Sequence, residues 1–220
     1  MLDAFIDSHY IQSLPFLLKG LVWTIFITVV GLILGFILGA LVGLGRLSSK
    51  KYIRILCTVY VEVIRGTPIL VQVLFIYLGL TEQVIGVNID KVTASIIAIS
   101  INAGAYIAEI VRGAVDSIDK GQHEAGRSIG LSKKQTMRYI IWPQAFKRMI
   151  PPLGNQFIIS LKDTSLFSVI AVGELLYMGK QYYNVTYTPF QTLTMVCVLY
   201  LLITIPTSYF LRRLERKMDV

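Results

Sequence analysis

Apolar residues fill long, nearly continuous stretches of this chain, and the polar positions within them recur at helical spacing instead of alternating. The first stretch runs from about Leu17 to Gly45 and ends at Arg46. At ~1.5 Å per residue it crosses a ~30 Å hydrocarbon core with some tilt. The second, about Ile53 to Leu80, is interrupted by Arg65-Gly66-Thr67-Pro68. Proline lacks a backbone donor and disfavours helix at the residue before it, so a broken or kinked span is expected there. A third stretch covers about Lys91 to Val111, a fourth begins after Pro143 and reaches about Gly179, and a fifth runs from about Pro189 to Leu211. The fourth fits either two short spans or one long helix broken at Pro151-Pro152-Leu153-Gly154 and again near Lys162-Asp163-Thr164.

Composition sharpens this picture. Of the 220 residues 55% are hydrophobic and 15% charged, and the mean hydropathy of +0.66 is that of a polytopic membrane protein. One transmembrane domain over residues 1–220, without an appended soluble module, is the expectation. The net charge of +8 does not point to nucleic acid, because the basic residues flank apolar runs and form no tract with interleaved aromatics. Placing Arg46 to Arg54, Arg112 to Arg148 and the C-terminal tail on one side collects 16 of the 21 Lys and Arg there. By the positive-inside rule this predicts an N-terminus outside, a C-terminus in the cytoplasm and five spans in an all-α integral membrane protein. The segment before Lys19 carries acids but no Lys or Arg, unlike a cleaved signal, and is expected to be retained. Cys57 and Cys197 lie in apolar runs without metal-ligand spacing and read as small core residues; no metal site is expected.

Several polar groups fall where lipid would penalise them. An unpaired charge within a span costs at least ~2.5 kcal/mol, so Glu62, Arg65, Glu109, Lys162 and Asp163 need partners or water. Helical spacing sorts the polar positions into three stripes: Glu62, Arg65 and Gln72; Asn102, Tyr106 and Glu109; Gln156, Ser160 and Asp163. Three such stripes on three spans would line one central cavity, with Asp163, Glu109, Asn102, Arg65, Gln156 and Ser160 as candidate substrate-binding residues. Ion pairs that merely fix helix packing, Glu62 with Arg65 or Glu109 with Arg112, fit the same spacing. In the first span Gly31, Gly35, Gly39 and Gly43 form an i, i+4 series on one helix face, suited to close approach by another helix of this chain or of a second subunit.

Residues 113–142 are too long for a simple connection and carry many basic residues. Within them Glu124-Ala125-Gly126, then Gly130, Ile140 and Pro143 resemble the EAA-x3-G-x9-I-x-L-P signature of permease subunits of ATP-binding-cassette importers. Gly126 replaces the usual Ala and Trp142 the usual Leu. Further stretches resemble the polar amino acid branch of that family. They are Leu17-Leu18-Lys19-Gly20 with Thr24, Glu62 through Gln72, Gly104 through Gly113, Pro151 through Gln156, and Lys162-Asp163-Thr164-Ser165-Leu166.

The resemblance implies a five-helix type I importer permease in the plasma membrane of a prokaryote. Its partners would be a second permease copy or homologue, a cytoplasmic ATPase dimer and an extracytoplasmic solute-binding protein. Glu124, Ala125, Gly126, Gly130 and Pro143 would belong to the coupling loop that docks on the ATPase. ATP and Mg would sit on that partner, for no G-x-x-x-x-G-K-[ST] loop occurs here, and this chain would bind no cofactor and catalyse no reaction. The chain would translocate a polar amino acid by alternating access. Asp163 and Glu109 lean the choice toward a basic one, with glutamine next. An ion-coupled secondary transporter or channel is the alternative that broken spans and intramembrane acids also suit.

Overall fold

The computed structural model describes residues 9–80, 84 and 86–218, and these form helices and turns with no strand among them. The N-terminal segment expected to be retained lies largely outside the described residues. After one helical turn at His9–Gln12, helix α1 spans Leu14–Arg46. Pro15 stands in its first turn, where the backbone N–H groups have no helical partner to lose. Helix α2 is Lys51–Arg65 and α3 is Ile69–Leu74, prolonged by a π-helical turn at Phe75–Gly79. The two axes meet at 100° across Gly66 to Pro68, where the sequence placed the break. Helix α4, Lys91–Asp116, is capped by the Asp90 carboxylate, which accepts from the backbone N–H of Val92 (2.9 Å) and Thr93 (3.2 Å).

Helices α1 and α4 form the central pair, and the glycine series is the reason. Gly31, Gly35, Gly39 and Gly43 are buried against α4 of the same chain. A methyl group at Gly39 would lie 2.7 Å from both the Gly104 carbonyl oxygen and Ile107 Cβ, and one at Gly43 only 2.8 Å from Val111 Cβ. Backbone thus meets backbone along four turns, which in lipid drives helix association. Gly39→Val is expected to destabilise the purified protein by about 1–3 kcal/mol through overpacking. Gly113→Val, where a methyl group meets nothing within 4 Å, is the control; equal shifts of the thermal midpoint at both positions would contradict this packing.

A loop with two short helices, α5 (Lys120–Ser128) and α6 (Lys133–Thr136), leads through a π-helical turn at Met137–Ile141 into α7, Trp142–Asp163. Contrary to expectation, α7 runs through Pro151 and Pro152 without a break. The fixed φ of proline fits a helix, and the two lost bonds would have fallen on the carbonyls of Lys147 and Arg148, both exposed, where water can replace them. The second expected break is present: α7 ends at Asp163 and gives way to a 3-10 segment, Thr164–Ile170. Ala171 then adopts a left-handed conformation (φ 56°), and its carbonyl accepts from Lys91 Nζ at 2.6 Å. The fourth apolar stretch is therefore not a continuous span to Gly179. Its remainder is α8, Leu175–Thr186, which turns back onto α1. Fully buried Glu174 caps α8 by accepting from Leu176 N (2.8 Å) and Tyr177 N (2.6 Å), while Leu175 N donates to Thr24 Oγ1 of α1 (3.0 Å).

Helix α9, Pro189–Met218, closes the fold. Among the described residues three segments are long and apolar enough to cross a membrane, namely His9–Arg46, α4 and α9, and the bent α2–α3 pair makes a fourth when taken as one span. Ile27, Val73, Ile99, Ile107, Phe167 and Val172 belong to the core between them, whereas Ile33, Leu41, Leu202 and Phe210 face outward, as a lipid-facing surface requires. Cys57 packs on Gly45 of α1; Cys197, expected in a core, is exposed on α9, where it lines an open cavity with Lys162 and Ser165.

Candidate functional site

Two of the three polar stripes meet one another. At the α2–α3 break the carbonyls of Ile64 and Thr67 lose their helical donors, and an unpaired carbonyl away from water is costly. Gln72 replaces them: its Nε2 donates to Ile64 O (2.8 Å), Thr67 O (3.0 Å) and Thr67 Oγ1 (3.0 Å). Its Oε1 accepts from Asn102 Nδ2 of α4 at 3.0 Å. Farther along the same face of α4, the Arg65 guanidinium lies over the Tyr106 ring, 5.3 Å from its centroid, and 3.5 Å from the Glu109 carboxylate. Asn102, Tyr106 and Glu109 thus clasp the break.

Glu109 gathers further cations. Its carboxylate pairs with Arg46, the last residue of α1, and with Arg112 one turn on, while Arg112 also reaches Asp116 at 2.6 Å. Arg46 is only 9% exposed and Glu109 24%, against 37% for Arg65 and Arg112. One carboxylate therefore joins the ends of α1 and α2 to α4. The packing alternative for Glu109 and Arg112 is realised, with two arginines more than the sequence reading paired with it. Glu62 is exposed beside the break.

The third stripe stands apart on α7. Gln156 Nε2 donates to Ser160 Oγ at 3.2 Å, both residues being buried. Asp163 is half-buried at the helix end. Beside it, Lys162 and Ser165 line a largely apolar cavity of about 450 Å³ with Tyr200, Leu201 and Thr204 of α9. Of the six candidate substrate residues, Arg65, Asn102 and Glu109 are brought together at the clasp; Gln156, Ser160 and Asp163 form a second group.

The loop residues form one compact unit. Asp119 caps α5 by accepting from Gly121 N at 2.7 Å, and Ser132 and Gln135 make a reciprocal capping box on α6, with Ser132 N to Gln135 Oε1 at 2.8 Å. Gly130 sits at φ 86° between them, and Leu131 N returns to Gly126 O at 3.1 Å, a glycine-terminated helix end. Gly126 is buried: a methyl group there would meet Thr136 Cγ2 at 2.6 Å and Ile140 Cδ1 at 2.9 Å. The departure from alanine at this position is thus matched by a closer crossing of α5 on the segment after α6. Glu124, Ala125 and Ile129 are exposed, Ile129 by 74%, and Pro143 stands in the first turn of α7. Arg148 of α7 donates to the Ser117 hydroxyl at 2.9 Å and to its carbonyl, fixing the loop to the helices.

Residues 31–220 match the family described as the binding-protein-dependent transport system inner membrane component. The chain belongs to that family. Among its relatives, the glutamine transport system permease protein GlnP of Escherichia coli K12 is 48% identical over 94% of this chain and 95% of its own length. The arginine transport system permease protein ArtQ of Bacillus subtilis is 33% identical over 96% of each. A crystal structure of an amino acid ABC transporter with histidines superposes with a TM-score of 0.89 at 38% identity, over 94% of this chain and 96% of that one. The protein is accordingly a multi-pass inner-membrane permease subunit of an amino acid ABC importer, with the type I fold.

Two residues of this permease carry more than their sequence context signalled. Arg46 looked like the end of a span, and because Glu109 already had Arg112 within helical reach, the sequence held no signal that Arg46 would pair with it too. Glu174, an acid within or near the fourth apolar stretch, caps α8 although glutamate is not among the usual capping residues, so the sequence held no clear signal of that role.

Proposed function

We propose that this permease has five spans, with its N-terminus outside and its C-terminus in the cytoplasm, and that it imports a polar amino acid, glutamine foremost. α7 supplies the fifth span beside the three long helices and the bent pair; the collection of 16 of 21 Lys and Arg on one side supports the orientation. The observation carrying the transport reading is the loop. A rigid, capped two-helix unit presents Glu124, Ala125 and Ile129 outward and is bonded at Ser117 to the helices. Such a unit suits docking on an ATPase dimer that holds ATP and Mg. A second permease copy or homologue and an external solute-binding protein complete the machine, which works by alternating access.

Glutamine is preferred because the 48% identical relative is a glutamine permease. The case for a basic substrate drew on Glu109 and Asp163 together, and Glu109 is enclosed by three arginines. Asp163, with Gln156 and Ser160 near it on α7, remains the candidate substrate contact. It keeps a basic amino acid as the second reading. The test is uptake of labelled glutamine, arginine, lysine and histidine, each competed by the others, in wild type and Asp163→Asn. A carboxylate that receives the α-ammonium group lowers uptake of all four by about tenfold on neutralisation, the size of a charge-assisted hydrogen bond. One that receives a basic side chain lowers the last three alone. Unchanged uptake of every substrate would remove Asp163 from the pathway.

A further inference from the structure

We propose that the Arg65–Glu109 pair is a latch that passes movement of the α1–α4 body to the α2–α3 break, making Arg65 a positioning residue for coupling. This rests on the reading of the chain as an ATP-coupled permease. Three observations carry it. First, α1 and α4 are packed as one body: the buried glycines seat backbone on backbone and Arg46 at the end of α1 is bonded to Glu109. Second, α4 leads through only Ser117, Ile118 and Asp119 into the loop helix α5, so a push on the loop reaches Glu109 along a continuous helix. Third, the break has fixed anchors and one looser one.

The fixed anchors are hydrogen bonds near the middle of α4: Tyr60 Oη donates to Ile101 O at 2.6 Å, and Asn102 holds Gln72 at 3.0 Å. Neither changes with a small rotation about that point. The loose anchor lies two turns away from Asn102 on the same face. At 3.5 Å, Arg65 is the most distant of the three arginines on Glu109, and at 37% exposed it has room to move. The Tyr106 ring, 5.3 Å from the guanidinium, lies on α4 one turn nearer that pivot than Glu109, so a rotation about the pivot carries the carboxylate farther than the ring. The guanidinium therefore has two partners at different distances from the pivot, and can trade the carboxylate for the ring. Two discrete arrangements around a fixed pivot are what a coupled transition needs.

The experiment uses the complex of permease, ATPase and binding protein in liposomes, comparing wild type, Arg65→Gln and Arg65→Lys. Assembly, the amino acid KM, and amino acids imported per ATP hydrolysed at saturating substrate are read separately. Arg46 and Arg112 still neutralise Glu109 in Arg65→Gln, so the complex is expected to assemble. Import per ATP then falls at least about fivefold, the lower end of measured couplings between sites, with KM unchanged, and Arg65→Lys restores part of it. An unchanged ratio would overturn the latch, as would a raised KM at an unchanged ratio, which would make Arg65 a substrate contact. Failure of Arg65→Gln to assemble while Arg65→Lys assembles and couples fully would make the pair structural and overturn the latch as well. A wild-type permease that drives no partner ATPase would defeat the permease reading itself, and the latch with it.

Discussion

Replacing Gly130 with proline is expected to abolish uptake, by about two orders of magnitude, while the complex still inserts and assembles. Gly130 holds φ 86°, and its N–H donates to Arg127 O at 3.1 Å. Proline fixes φ near −65° and has no N–H, so α5 cannot end as it does; ~3 kcal/mol against the native loop corresponds to the stated loss. The change lies outside the spans, which is why insertion survives. Gly130→Asn, a residue that tolerates the left-handed region, should retain most uptake. Uptake into proteoliposomes, normalised to assembled complex, checks both variants, and normal transport by Gly130→Pro would contradict the loop's role.

Glu109→Leu should fail earlier, at assembly. The substitution leaves Arg46, Arg65 and Arg112 facing one another, and Arg46 is 9% exposed. Removing one partner of a largely buried ion pair costs about 3–5 kcal/mol, because the remaining charge is left without compensation. A large fall in the thermal midpoint and in recovered complex is the expected outcome. Asp116→Asn is the comparison: the Asp116 side chain is 54% exposed and its pair with Arg112 is screened by solvent, so little should change. Equal stability of Glu109→Leu and wild type would show that the arginine cluster does not hold the helices together.

Much of the arrangement was legible in the sequence, for reasons that particular residues make plain. The first, third and fifth apolar stretches start within three residues of α1, α4 and α9, since length and hydropathy decide them, while α4 and α9 run on past the apolar ends at Val111 and Leu211 to Asp116 and Met218. The break at Arg65 to Pro68 follows from proline's missing donor and its restriction on the residue before it, with Gly66 beside them adding a poor helix former. The loop was recognisable from the spacing of Glu124, Ala125, Gly130, Ile140 and Pro143, and Gly130 holds φ 86°, a conformation that few other residues tolerate.

What periodicity could not give is the identity of the facing surface. It put Asn102, Tyr106 and Glu109 on one face, and that face proved to hold the chain's own broken helix, where orphaned carbonyls needed donors. The glycine series likewise announced close packing without saying on which helix. Pro151 and Pro152 misled because proline's cost depends on whether water can reach the freed carbonyls, and sequence does not record exposure. The fourth stretch, read toward Gly179, hid a reversal at Ala171, whose carbonyl is met by a lysine 80 residues earlier.

The decisive measurement is extraction in mild detergent, identification of the chains that copurify, and ATP hydrolysis with labelled glutamine uptake after reconstitution with the external binding protein. The account predicts a copurifying ATPase whose hydrolysis rises with substrate-loaded binding protein, and uptake that stops when ATP is withheld. Uptake driven by an ion gradient alone, with no ATPase bound, would contradict it.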